Sequence, residues 1–140
     1  MVTCRNALSS ENRCSGMDKN VVLILDSDEH FHRLMRQGLR KAGFSVKSFT
    51  VADEALEFIR HSGSEVDIFV TEMTTDGLLL ASKLRKYVPD AKSVLTTGFP
   101  QLREYFLNSN ILVKPFPASE LAAVITRELF KVVAVARNVR

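Results

Sequence analysis

Residues 111–121 read ILVKPFPASEL: a strand, a sharp turn and the start of a helix. Ile111–Val113 is the short aliphatic run expected of a buried parallel strand. Lys114 stands at its carboxyl end, and Pro115 and Phe116 turn the chain. Beyond them Leu121, Val124, Ile125, Leu129 and Val132 recur at the spacing of one helix face.

The same strand-then-helix alternation recurs back to residue 21. Val21–Leu25 is a continuous β-branched and aliphatic run. Phe31, Leu34, Met35, Leu39 and Ala42 then form a helical stripe, with Ser27 or Asp28 as N-cap and Gly43 just past its end. Phe44–Phe49 alternates like a strand. Ala52, Ala55, Leu56 and Ile59 give a second helix, expected to be capped by Thr50 and stopped near Gly63. Ile68–Thr71 and Ser93–Thr96 are two further strands, separated by a helix carrying Leu79, Leu80 and Leu84. Pro100–Leu107 is expected to form a short fourth helix, with proline at its first position.

Five strands alternating with five helices imply parallel βαβ units with right-handed crossovers. The fold class is α/β: a three-layer, doubly wound, five-stranded parallel sheet. Residues 1–20 are polar and unpatterned and read as a loose tail, residues 21–136 as one domain, and residues 137–140 as a short C-terminal tail. With 140 residues, 46% hydrophobic and 25% charged, the chain holds one ordinary core and needs no disulfide or structural metal. Cys4 and Cys14 lack zinc-ligand spacing and read as reduced thiols. A formal charge of +3 is too mild for a nucleic-acid surface. No apolar run is long enough to cross a bilayer, so neither nucleic acid nor membrane is an expected partner, and a cytoplasmic location is expected. No G-x-S-x-G elbow or phosphate-cradling glycine loop is present, which argues against hydrolases and nucleotide enzymes.

In open parallel sheets, ligands bind beyond the carboxyl ends of the strands. Here those ends carry Asp26, Ser27, Asp28 and Glu29, then Glu72 with Asp76 and Gly77 close behind, then Thr96 and Thr97, then Lys114. Each has an ordinary alternative: Asp26–Glu29 could simply cap a helix, and Glu72 and Lys114 could be solvated. Their joint occurrence, in this order, points to one functional rim. His30 and His32 are two apart on a helix and cannot share a face, so they read as solvated histidines.

Over Val21 to about Phe130 the chain resembles the receiver domains of two-component response regulators, which have the flavodoxin-like (βα)5 fold with strand order 2-1-3-4-5. The matching pieces are the strand ending in Asp26, "DIFVTEM", "SVLTTGF" and, most specifically, "ILVKPFPASEL". The seventeen-residue step from Asp26 to Gly43 also fits that family's first βα unit. The resemblance implies a phosphate-accepting aspartate ending strand three, two consecutive acids after strand one that bind Mg²⁺, a hydroxyl ending strand four and a lysine ending strand five. Asp26 matches the first acid, Thr97 the hydroxyl and Lys114 the lysine. It also implies a cis bond before Pro115.

Four features depart from the pattern. Glu72 stands where the aspartate should be, its oxygens roughly 1.5 Å further out, enough to spoil in-line attack. Ser27 replaces the second acid and removes an anionic oxygen ligand. The loop from Glu72 to Gly77 is short and lacks the family's proline, and Ile111 lies where an aromatic residue is usual. Mg²⁺ is therefore expected to bind weakly or not at all, resting on Asp26, Glu72 and Thr74 if anywhere, and no other cofactor is expected. The chain reads as a stand-alone pseudo-receiver, not an enzyme. It would act through a protein partner, a histidine kinase or an output protein, with Glu72 reaching toward Lys114 and Thr97. A working phosphoacceptor domain using Glu72 or Asp76 is the alternative, and a homodimer built on Val132–Val135 stays open.

Overall fold

The computed structural model describes residues 19–105 and 110–138. Five strands form it: β1 (Val21–Leu25), β2 (Ser45–Phe49), β3 (Ile68–Glu72), β4 (Lys92–Thr97) and β5 (Ile111–Val113). Four α-helices connect or close them: α1 (Glu29–Lys41), α2 (Ala52–Ser62), α3 (Thr75–Tyr87) and α4 (Ala118–Asn138). All strand pairings are parallel, in the order β2-β1-β3-β4-β5. The chain reverses its direction of sheet growth at β1, so the carboxyl ends of β1 and β3 flank the switch point.

The apolar pattern follows from this layering. All five residues of β1 are buried, because helices cover both faces of the sheet. On one face Val22, Ile24, Ile68 and Val70 pack against Met35 and Leu39 of α1 and Leu121 and Ile125 of α4. On the other, Leu23, Leu25 and Phe69 meet Leu56 and Ile59 of α2 and Leu80 and Leu84 of α3.

Several local expectations change. The fourth helix is a 3-10 helix, Pro100–Tyr105, rather than an α-helix. Its rise of about 2.0 Å per residue against 1.5 Å lets a short crossover span the sheet with fewer residues. Leu107 lies outside the described residues, as do both cysteines and nearly all of the expected 1–20 tail. Of the two N-cap candidates for α1, Asp28 takes the role and accepts from His30 N and Phe31 N. Thr50 does not cap α2: Val51 holds that position, with no side-chain hydrogen bond. Leu34 and Leu79 face outward, since the inward stripes are already filled by Met35 and Leu80. The backbone of α4 continues to Asn138, past the boundary expected at 136.

Candidate functional site

The rim is organised around Asp26. Its side chain is 1% exposed, so an unpaired charge there would be costly. Lys114 Nζ stands 2.6 Å from Asp26 Oδ2, and the Asp28 backbone N–H donates to Asp26 Oδ1 at 2.9 Å. The backbone of Asp26 is tied as firmly. Its N–H donates to the Phe49 carbonyl at 3.1 Å, and its carbonyl lies 2.6 Å from His32 Nε2.

Lys114 reaches this position from the end of β5, where the Lys114–Pro115 peptide is cis. Its ammonium also lies 3.7 Å from Glu72 Oε2 and 4.4 Å above the centre of the Phe31 ring. Phe116 supports that ring edge-on, 5.6 Å away at 88°. Two carboxylates and an aromatic face thus surround one cation. Glu72 has a second neighbour on β1's side: the backbone N–H and hydroxyl of Ser27 each stand 3.4 Å from Glu72 Oε1, long for a hydrogen bond.

Behind Glu72 the chain is tightly drawn. Thr74 N–H donates to the Glu72 carbonyl at 2.8 Å, and Met73 N–H to the Thr96 carbonyl at 2.8 Å. Gly77 sits against the same Glu72 carbonyl so closely that a Cβ would collide with it. Only glycine allows α3 to start this near the end of β3.

With this geometry the chain can be set beside known proteins. It is 28% identical over 120 residues to the sensor kinase CckA of Brucella abortus (strain 2308), covering 79% of this chain and 12% of that protein. It is 32% identical over 106 residues to the C4-dicarboxylate transport transcriptional regulatory protein DctD of Rhizobium meliloti (strain 1021), covering 71% of this chain and 23% of that protein. The response regulator receiver protein CpdR of Brucella abortus (strain 2308) is 28% identical over 116 residues, 77% of this chain and 95% of that one. The chain therefore spans only a small part of the first two relatives. Among solved structures, a response regulator receiver protein from Sinorhizobium medicae WSM419 matches with a TM-score of 0.69 at 25% identity, over 81% of this chain and 96% of that one. A CheY-like receiver domain protein from Methanospirillum hungatei JF-1 matches with a TM-score of 0.71 at 22% identity, over 81% and 96%. No protein-family model matches the chain.

Fold and sequence likeness both point to the receiver domains of response regulators.

Within this receiver-like fold, the rim brings together Asp26, Ser27, Glu72 and Lys114, while the side chains of three expected participants are engaged locally. Thr97 is buried, but its hydroxyl accepts from Phe99 N–H at 3.1 Å instead of reaching Glu72 or Lys114. The turn after β4 needs an acceptor there, and Thr97 supplies it locally. Thr74 caps α3 by accepting from Gly77 N–H at 3.1 Å. Asp28 spends its carboxylate on capping α1.

These assignments bear on Mg²⁺, which the receiver fold implies. Mg²⁺ takes an octahedral set of oxygen ligands, one or two of them carboxylates and several of them water. Here both Asp26 oxygens already accept from internal donors, the second acid is Ser27, and Thr74 is a helix cap. The Lys114 ammonium supplies the positive charge between Asp26 and Glu72. Asp26 and Glu72 are the two carboxylates that would hold the ion, and the Lys114 ammonium stands between them.

His32 was missed in the sequence. It is buried, 1% exposed, not solvated. Residues 32, 35 and 39 share the inward face of α1, and that spacing was the available signal. Because a carbonyl only accepts, Nε2 carries the proton given to Asp26, and Nδ1 has no partner among the described residues.

Proposed function

We propose that this receiver domain is a pseudo-receiver, signalling through protein binding without phosphorylation of Glu72. The observation that supports this reading most is the 2.6 Å contact between Lys114 Nζ and Asp26 Oδ2, with Glu72 Oε2 3.7 Å from the same nitrogen. The chain's own ammonium pairs closely with Asp26 and stands near Glu72, so the buried carboxylate has its counter-charge without a metal, and the rim keeps one net negative charge. Ser27, in place of an acid, adds no third negative charge and turns its N–H and hydroxyl toward Glu72. The partner is a protein of two-component signalling, a histidine kinase or an output protein, and no catalytic step is assigned to the rim.

Backbone-amide NMR tests this. Adding acetyl phosphate and Mg²⁺ should leave the amide signals of Asp26, Ser27, Glu72, Thr97 and Lys114 unchanged. A coordinated shift across these residues would contradict it. Asp76, exposed in the first turn of α3, is one of the two phosphoacceptors of the rival reading, the other being Glu72 itself, and a shift centred on either would favour that rival.

A further inference from the structure

A cleft of about 310 Å³ opens beside the rim between the starts of α2 and α3, lined among others by Ser27, Val51, Glu72 and Asp76. A smaller groove of about 90 Å³, floored by Leu56 and Leu80 and edged by Asp53 and Leu79, continues from it. The two share Ala52 and Asp76 and so form one trough along the α2–α3 face.

Its lining is unusual in two respects. Val51 is 48% exposed and Leu79 57% exposed, so two large aliphatic side chains meet solvent along one trough. Val51 also sits at the N-cap of α2, where a polar side chain would normally satisfy an open N–H and here none does. A position that is apolar, exposed and unfavourable for its own helix is the kind that function retains. In α3, Leu78, Leu79 and Leu80 are consecutive, yet only Leu80 is buried.

The charges select the occupant. Asp53 and Glu54 lie in the first turn of α2, Asp76 in that of α3, and Glu72 at the rim end. Neither Asp53 nor Asp76 has an ion pair among the described residues. The opposing charge lining the trough is Lys83, seven residues further along α3, at the far end. We infer that the α2–α3 trough docks a partner protein's basic amphipathic segment. Its Lys or Arg side chains would lie between Asp53, Asp76 and Glu72, and its aliphatic side chains on Val51 and Leu79.

The test uses the full chain and a fluorescein-labelled amphipathic peptide of lysine and leucine, followed by fluorescence anisotropy. Val51→Ser with Leu79→Ser should weaken binding by about tenfold or more, as loss of central apolar anchors does. Both side chains are half exposed, and circular dichroism should show an unchanged fold. Asp76→Lys should weaken binding and flatten its dependence on salt. Phe130→Ser, on the exposed side of α4, should change affinity less than about twofold. Three results would overturn the inference. The Val51/Leu79 variant could bind as the parent does. A glutamate–leucine peptide could bind equally well. Sedimentation could show that the same substitutions dissociate a self-associated chain, making a second copy the occupant.

Discussion

Lys114 and Asp26 meet at 2.6 Å although 88 residues separate them in the chain. That contact joins the end of β5 to the end of β1 across the intervening β3 and β4. It places a cation against a carboxylate that is 1% exposed, and it sets the chemistry of the whole rim.

Removing the cation tests the cost of the arrangement. Lys114→Met should destabilise the domain by about 2–4 kcal/mol, at or below the lower end of the roughly 3–5 kcal/mol for breaking a buried pair, because Asp26 keeps the Asp28 N–H. Urea unfolding measures it. Adding Asp26→Asn should restore part of the loss, since a neutral amide no longer needs the ammonium. Strict additivity of the two changes would argue against coupling.

Mg²⁺ affinity should be weaker than millimolar in the parent chain, and Ser27→Asp should tighten it by restoring an anionic ligand. Calorimetric titration with MgCl₂ reads this directly. Tight binding by the parent would mean that Mg²⁺ displaces Lys114 from Asp26.

His32→Leu should cost about 1–3 kcal/mol, because it strands the buried Asp26 carbonyl. Nitrogen-15 NMR of the parent should show the tautomer protonated at Nε2. Protonation at Nδ1 instead would contradict the hydrogen bond to Asp26.

How much of this was legible in the sequence depended on the range of the signal. Inner strands such as Val21–Leu25 were readable because burial on both faces makes them continuously apolar, and the edge strand β2 was readable by its alternation. Asp26 and Lys114 were readable because strand ends converge by topology alone. Thr74 and Thr97 were not, because each hydroxyl serves a backbone N–H only two or three residues away. Such local capture competes with any long-range role, and spacing does not show which will win. His32 was misjudged by comparison with His30, when its register with Met35 and Leu39 carried the information.

Gly77→Ala should destabilise the chain by about 1–3 kcal/mol and shift the Glu72 amide signal, because the added methyl meets the Glu72 carbonyl. Gly98→Ala is the control: nothing lies within 4 Å of the new Cβ, so its effect should stay within about 0.5 kcal/mol. Thermal unfolding with an amide NMR spectrum checks both.

The most direct test of a phosphorylation-independent rim is intact mass spectrometry after exposure to acetyl phosphate and Mg²⁺. The parent chain should gain no phosphoryl group, while Ser27→Asp with Glu72→Asp should acquire one on residue 72, since the pair restores the second acid and shortens the acceptor. A phosphoryl group on Glu72 or Asp76 of the parent chain would contradict the pseudo-receiver reading.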